Sequence, residues 1–177
     1  MRRLIIHLVL LSLINVIGYS SVKAQTLAVR TNAASWALPI ANVGVELVVT
    51  ESNSVSFSAL ASLAPLHFIS EDTKSMWGIM AEHRYWLSHQ PFKAMYVGPV
   101  VGFYYYKRTG ILKQDIAVPM GLGFGYDWPL SYHWNIETGL SAGWVYYTRH
   151  NAESTTEINH HFKPSLINVS LSAIYVF

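Results

Sequence analysis

Apolar and polar residues alternate along most of the chain beyond residue 25. Between Ile116 and Trp128 every second residue is apolar, whereas the residues between them are Ala, Pro, Gly and Asp. A similar alternation runs from Trp134 to Tyr146. A period of two residues is typical of β-strands, because successive side chains point to opposite faces. The pattern therefore predicts an all-β chain whose strands have one apolar face and one small or polar face.

The alternation predicts eight strands. They lie near residues 27–34, 42–50, 54–63, 75–87, 94–108, 116–128, 132–148 and 166–177. Several of them exceed the usual strand length of about 5 to 6 residues and reach the roughly 9 to 11 residues that cross a bilayer. Short connections alternate with longer or more polar ones. This organisation predicts an eight-stranded antiparallel up-and-down transmembrane β-barrel.

A soluble barrel with an apolar interior would show the same alternation. Its outer face would need many charges, but only 12% of the residues are charged, and the non-apolar face of the strands is rich in Gly and Ser. Aromatic residues also gather at strand ends, with Tyr126 and Trp128 at one end and Phe103 and Tyr105 at the other. Such belts are typical of the two membrane interfaces. We therefore interpret the apolar face as the lipid-facing one.

Residues 1–24 have the pattern of a cleaved secretory signal. Arg2 and Arg3 precede an apolar run that is too short to span a membrane as a helix, and the segment ends in Ala24. The barrel domain would then occupy residues 25–177. Removing this segment, which also contains Lys23, reduces the 12 basic residues to nine against ten acidic ones, a formal charge of −1. No basic footprint for nucleic acid remains, and the lack of cysteine excludes disulfides and thiolate metal sites.

The last predicted strand has apolar residues at alternate positions up to Phe177. Leu171, Tyr175 and Phe177 resemble the signal by which bacterial outer-membrane barrels are recognised by the barrel-insertion machinery. We expect this strand to pair with the first one, because unpaired backbone groups are not tolerated in lipid. The expected location is the bacterial outer membrane, with its lipid as a partner.

Strand parity places five charged residues on the face opposite the lipid. They are Arg30, Glu46, Glu82, Arg84 and Glu137. The interior of an eight-stranded barrel is only just wide enough to be filled by side chains, and an unpaired buried charge is costly. We therefore predict an interior network of salt bridges. The alternative is a proton or ion path, or a pair of carboxylates for acid and base catalysis.

Two further groups of polar residues could carry chemistry. A metal site would draw on imidazoles and carboxylates in the last long connection, namely His150, Glu153, Glu157, His160 and His161. Their spacing matches no ordered ligand motif, so we expect a solvated loop. A hydrolase would draw on a Ser, a His and an Asp in one loop, namely Ser70, His67 and Asp72. No ordered catalytic motif supports it, so we predict neither an enzyme nor a cofactor.

Several short stretches carry a family resemblance. They are Arg30-Thr31-Asn32, Gly44-Val45-Glu46 and Glu82-His83-Arg84-Tyr85-Trp86. With them, nearly the whole chain beyond the leader resembles family 3575 of the domains of unknown function. The resemblance implies an outer-membrane barrel of Bacteroidota-type bacteria whose gene often neighbours fimbrial genes. It implies no activity.

The expected function is therefore non-enzymatic. The chain would act as a structural, assembly or adhesion accessory through its outer loops, with fimbrial or other surface proteins as partners. Two alternatives remain open, namely an outer-membrane lipid-modifying hydrolase or acyltransferase, and a small pore.

Overall fold

The chain folds as a closed β-barrel in a computed structural model that describes residues 27–66, 73–108, 115–150 and 158–177. The eight strands in these ranges are β1 (Leu27–Asn32), β2 (Ile40–Thr50), β3 (Asn53–Ser62), β4 (Thr73–Trp86), β5 (Ala94–Arg108), β6 (Asp115–Pro129), β7 (Trp134–His150) and β8 (Ile158–Val176). A short helix, α1 (Ala33–Ala37), follows β1. Within those ranges no helix has the length and hydrophobicity to cross a membrane. The predicted signal at residues 1–24 lies outside the described residues.

Every strand is antiparallel to its neighbours along the chain, and β8 closes the ring against β1. The closing ladder joins Ala28–Asn32 to Ser172–Val176. The predicted all-β, eight-stranded up-and-down barrel is thus confirmed. We call the end with the short connections at 51–52, 87–93 and 130–133 the turn end, and the opposite end the loop end.

β8 is longer than the sequence pattern predicts. It begins at Ile158 instead of near residue 166, so the predicted loop between residues 149 and 165 is largely a hairpin of β7 and β8. Aromatic and imidazole rings stack across this hairpin, with centroids 4.8 Å apart for Tyr147 and His161. The expectation that His160 and His161 lie in a solvated loop is therefore wrong, because both belong to β8.

β1 is shorter than predicted, because the chain turns into α1 after Asn32. The Asn32 side chain accepts a hydrogen bond from the backbone N–H of Ala34 at 3.0 Å. This is the bond by which an N-cap asparagine satisfies a free amide at the start of a helix. The predicted strand to residue 34 therefore ends two residues early.

A β-bulge in β8 changes the strand parity at the loop end. The register pairs Ser141 with Asn168 and Ala142 with Leu166, so Ile167 is an additional residue. An extra residue moves every side chain beyond it to the other face. Ile167, which parity placed on the lipid face, is half-buried and lines the lumen, whereas Leu166 is 60% exposed.

The two faces of the barrel wall differ in polarity. Leu122 and Phe124 on β6 are 62% and 50% exposed on the outside, and their neighbours Gly123 and Gly125 are buried inside. The inside at the turn end holds a small apolar core, which consists of Ala28, Val48, Trp86, Phe92, Tyr96, Ile174 and Val176. The remaining interior is polar or open, and it contains the candidate site.

Candidate functional site

The five predicted interior charges meet in the turn half of the lumen. Arg30 comes from β1, Glu46 from β2, Glu82 and Arg84 from β4, and Glu137 from β7. All five are at least nine-tenths buried. We call these five residues the charge cluster. Each strand points its residue inward because successive side chains of a strand face opposite sides, and most of the neighbouring outward positions are apolar.

Arg84 is the centre of the charge cluster. Its guanidinium donates to Glu82 at 2.6 and 2.7 Å, to Glu46 at 2.8 Å and to Glu137 at 2.6 Å. The central carbon of this guanidinium, Cζ, lies 4.1 Å from the centroid of the Tyr96 ring. One arginine thus holds three buried carboxylates through charge-assisted hydrogen bonds, which are the strong kind.

Arg30 is the second cation of the cluster. It donates to Glu46 at 3.2 Å and to Glu137, and it reaches the hydroxyl of Ser172 at 3.3 Å. Glu137 also accepts a hydrogen bond from the Tyr96 hydroxyl at 3.1 Å. Because these bonds join opposite walls, the side chains fill the cross-section of the barrel. Such an arrangement can close a lumen and link strands, and it leaves no carboxylate of the cluster without a donor.

Small residues make room for these large side chains. A Cβ atom built on Gly125 would lie 2.5 Å from the Tyr96 hydroxyl oxygen, so only glycine fits there. A Cβ atom on Gly123 would collide with the carboxylate of Glu82. The glycine repeat of β6 is therefore a packing feature of the lumen. Position 123 does not tolerate even a small polar side chain without moving the charge cluster.

The turn end of the barrel is closed below the charge cluster. The indole N–H of Trp86 donates to the hydroxyl of Ser54 at 2.8 Å, and this hydroxyl donates to Glu46 at 2.6 Å. Phe92, from the connection between β4 and β5, packs on the Trp86 ring with centroids 6.0 Å apart. The polar network thus ends at an apolar layer formed by Trp86 and Phe92, which we call the floor of the lumen.

Among the residues that the structure describes, three other buried charges were not singled out from the sequence. Arg108 and Asp115 form an ion pair at 2.7 Å near the loop end, between the end of β5 and the start of β6. Asp127 is fully buried near the turn end of β6. Parity on β6 alone would have found both aspartates, since they share the inward positions of Gly121, Gly123 and Gly125.

The described side chains leave the loop half of the lumen unfilled. A cavity of about 930 Å³ lies there, which is within the range of about 300 to 1,000 Å³ that ligand pockets occupy. Its wall is mainly apolar and aromatic, with contributions from Leu60, Met76, Tyr104, Pro119, Val145 and Ile167. We call this space the loop-side cavity. It was not predicted from the sequence, because eight-stranded barrels are expected to be filled.

The candidate metal and catalytic groups are not assembled as sites in the described structure. Nδ1 of His160 lies 2.5 Å from the Tyr146 hydroxyl oxygen, and His161 stacks on Tyr147. Glu153 and Glu157 lie outside the described residues, as do His67, Ser70 and Asp72. Within the described part of the chain, no three His, Cys, Asp or Glu side chains lie close enough to hold a metal ion.

The predicted insertion residues lie on the outer face of the closing strand and just beyond it. Leu171 and Phe177 are exposed and Tyr175 is half-buried. The Tyr175 ring lies between aromatic neighbours, with its centroid 5.1 Å from that of Trp134 and 5.0 Å from that of Phe177. The backbone N–H of Phe177 donates to the carbonyl of Leu27 at 3.0 Å. The described C-terminal residues therefore lie at the β1–β8 junction.

The family model for the proteins of unknown function DUF3575 matches residues 8–177. The chain belongs to the DUF3575 family. The resemblance seen in the Arg30-Thr31-Asn32 and Glu82-His83-Arg84-Tyr85-Trp86 stretches is thereby confirmed. No curated protein and no solved structure was found to match this DUF3575 chain. In the barrel, the two stretches supply both arginines of the charge cluster and the asparagine that ends β1.

Proposed function

We propose that this DUF3575 chain is a bacterial outer-membrane barrel whose lumen is closed at the turn end, acting without catalysis as an assembly, anchoring or adhesion accessory. The observation that carries the proposal is the polarity of the wall. Large apolar side chains such as Leu122, Phe124 and Trp128 are exposed outside, whereas the charge cluster is buried inside. Exposed apolar surface of this extent on a soluble monomer would cause aggregation. In a bilayer it is the stable arrangement.

The charge cluster and the floor beneath it argue against the alternative of a small pore. Conduction needs a continuous polar path that ions can enter and leave. In the turn half of the described barrel, Arg30, Arg84 and their carboxylates span the lumen, and Trp86 and Phe92 lie below them. The proposed activity therefore lies at the loop end and on the outer surface. The link to fimbriae comes from the family resemblance.

Fractionation of the native organism tests the location. The mature protein should begin at Gln25, sediment with the outer membrane, and migrate differently on gels before and after boiling. An inner-membrane or water-soluble protein would contradict the proposal. Planar-bilayer recording of the purified barrel should show no steps of conductance, whereas reproducible steps would favour the pore.

A deletion strain tests the accessory role. We expect surface fimbriae or adhesion to decrease, and we expect re-expression of the wild-type chain to restore them. Unchanged surface proteins, together with altered acyl chains in the outer-membrane lipid, would instead favour the lipid-modifying enzyme.

A further inference from the structure

The barrel wall has a seam beside the loop-side cavity. The ladder between β1 and β8 ends, on its loop-end side, at the pair Asn32 and Ser172. The part of β8 from Ile158 to Leu171 extends beyond it toward the loop end without pairing with β1. The ladder between β1 and β2 likewise ends at Arg30 and Gly44, while β2 begins at Ile40. Over the loop half of the barrel, β8 and β2 are therefore separated by α1 instead of by a strand.

Two asparagine side chains end the ladders on either side of the seam. The Asn32 side chain donates to the carbonyl of Val169 and accepts from the N–H of Leu171, both at 3.0 Å. The Asn42 side chain accepts from the N–H of Asn32 at 2.6 Å and donates to its carbonyl at 3.0 Å. These bonds satisfy backbone groups that a continuous sheet would otherwise pair. The two asparagines thus satisfy backbone hydrogen bonds at the edges of the seam, where the ladders end.

Residues at this seam line the loop-side cavity. Leu166 and Val169 line the cavity, yet they are 60% and 51% exposed. Within the seam, Ala34 of α1 and Leu38, which follows the helix, line the same cavity, and α1 has no buried residue. The helix contacts β2 and β8, which are the strands on either side of the seam. An apolar chain lying against the outside of the wall would meet the apolar side chains of Leu166 and Val169 at this seam, next to the cavity.

The loop-side cavity also has a cation at its edge, where the charged end of an amphiphilic ligand would lie if its apolar chain occupied the cavity. Lys163 of β8 lines the cavity toward the loop end, and its Nζ is 5.2 Å from the centroid of the Tyr147 ring. The lysine is exposed, so it can meet a charge at the membrane interface. An apolar cavity with a few polar groups at its edge is the usual form of a site for an amphiphile.

We propose that the loop-side cavity receives one acyl chain of an anionic membrane lipid, which enters sideways through the seam and leaves its headgroup near Lys163. This rests on the proposed membrane location, because the chain comes from the surrounding bilayer. Binding would give the barrel a lipid-sensing or lipid-holding role in addition to an accessory function. The charge cluster forms the closed end toward which the lipid chain points.

Photolabelling in vesicles tests the proposal. The probe is a phosphatidylglycerol with a diazirine at the end of one acyl chain, diluted into phosphatidylcholine vesicles that contain the folded full chain. After illumination, peptide mapping should find labels on lumen-facing Leu60, Met76 and Tyr104. Labels confined to outward Met120 and Leu122 would overturn the proposal while leaving membrane insertion intact. Failure of the folded chain to insert would instead contradict the proposed function.

Cavity-filling variants provide the matched controls. Ala117 lines the cavity, and its neighbour Val118 lies on the outer face. Ala117→Phe should reduce lumen labelling by about tenfold, since an added ring in a limited space excludes the lipid chain, whereas Val118→Phe should leave it unchanged. If Ala117→Phe does not fold, Ser165→Phe fills the cavity from β8 instead. Equal lumen labelling in the folded filling variant and in Val118→Phe would overturn the proposal.

The headgroup and the route are tested separately. Lys163→Gln should reduce lumen labelling by the phosphatidylglycerol probe about two- to fivefold, the effect of one exposed ion pair. It should leave labelling by a neutral diazirine-carrying diacylglycerol unchanged. Equal effects on both probes would overturn the role of Lys163. Labelling seen only with a diazirine fatty acid added from water would overturn entry through the seam.

Discussion

Removing the central arginine of the charge cluster should destabilise the barrel more than removing an exposed cation of similar size from its surface. In Arg84→Met, the carboxylates of Glu82, Glu46 and Glu137 each lose a donor that lies within 2.8 Å. The formal charge of the cluster falls from −1, with two cations and three anions, to −2. Removing one partner of a buried ion pair costs about 3 to 5 kcal/mol. We expect a loss of about that size in the free energy of unfolding.

The measurement is urea unfolding of the barrel in phosphatidylcholine vesicles, followed by tryptophan fluorescence and by the gel shift on boiling. Lys107→Met is the matched control, because Lys107 is exposed and such surface changes usually stay within about 0.5 kcal/mol. The double variant Arg84→Met with Glu82→Gln returns the cluster to a charge of −1. Its loss should be smaller than the sum of the single losses by about 1 to 3 kcal/mol, a coupling typical of residues in one network.

Two results would refute this reasoning. If Arg84→Met cost no more than Lys107→Met, the charge cluster would not contribute to stability. If the losses of the two single variants simply added in the double variant, the charges of Arg84 and Glu82 would not be coupled, and the packing volume of the arginine would account for its effect.

Three further predictions concern the wall and its closure. Leu122→Arg, in the middle of β6, should cost about 2 to 4 kcal/mol in vesicles, whereas Ala117→Ser inside should cost far less; equal losses would mean that the two faces are assigned wrongly. Gly125→Ala should destabilise the fold by about 1 to 3 kcal/mol, because its methyl group overlaps Tyr96, and unchanged urea midpoints would contradict this packing. Phe177→Asp should reduce the yield of heat-modifiable barrel in cells, whereas Leu63→Asp at the exposed loop end should not; similar yields would argue against an insertion signal.

The sequence sufficed for the parts of the fold that repeat regularly. Period-two alternation located all eight strands, and the inward parity of Arg30, Glu46 and Arg84 anticipated their meeting. The pattern could not supply the partners, because a parity argument says which face a side chain takes but not its height in the barrel. That height depends on the register between strands, which is a property of the closed sheet.

The parts that sequence reasoning missed share a physical cause. The extension of β8 carries His160, His161 and Lys163, whose polarity suggested a loop although they are paired across a hairpin. The bulge at Ile167 reverses the alternation within one strand, so a uniform period gives the wrong face beyond it. The loop-side cavity exists where the bulge, the early end of β1 and α1 coincide. None of these is visible as a periodic signal.

The unequal strand lengths would have a consequence for the bilayer in which we propose the barrel lies. β1 has six residues and β8 has 19, whereas a strand needs roughly 9 to 11 residues to cross the hydrocarbon layer. The strand-built part of the apolar belt would therefore be lower at β1, where exposed Trp36 of α1 continues the apolar surface beyond the strand. Lipids adapt to such hydrophobic mismatch by local thinning, at a modest cost per ångström. The barrel would carry a thinned sector of membrane on one side, and two barrels could reduce that cost by placing their thin sectors together.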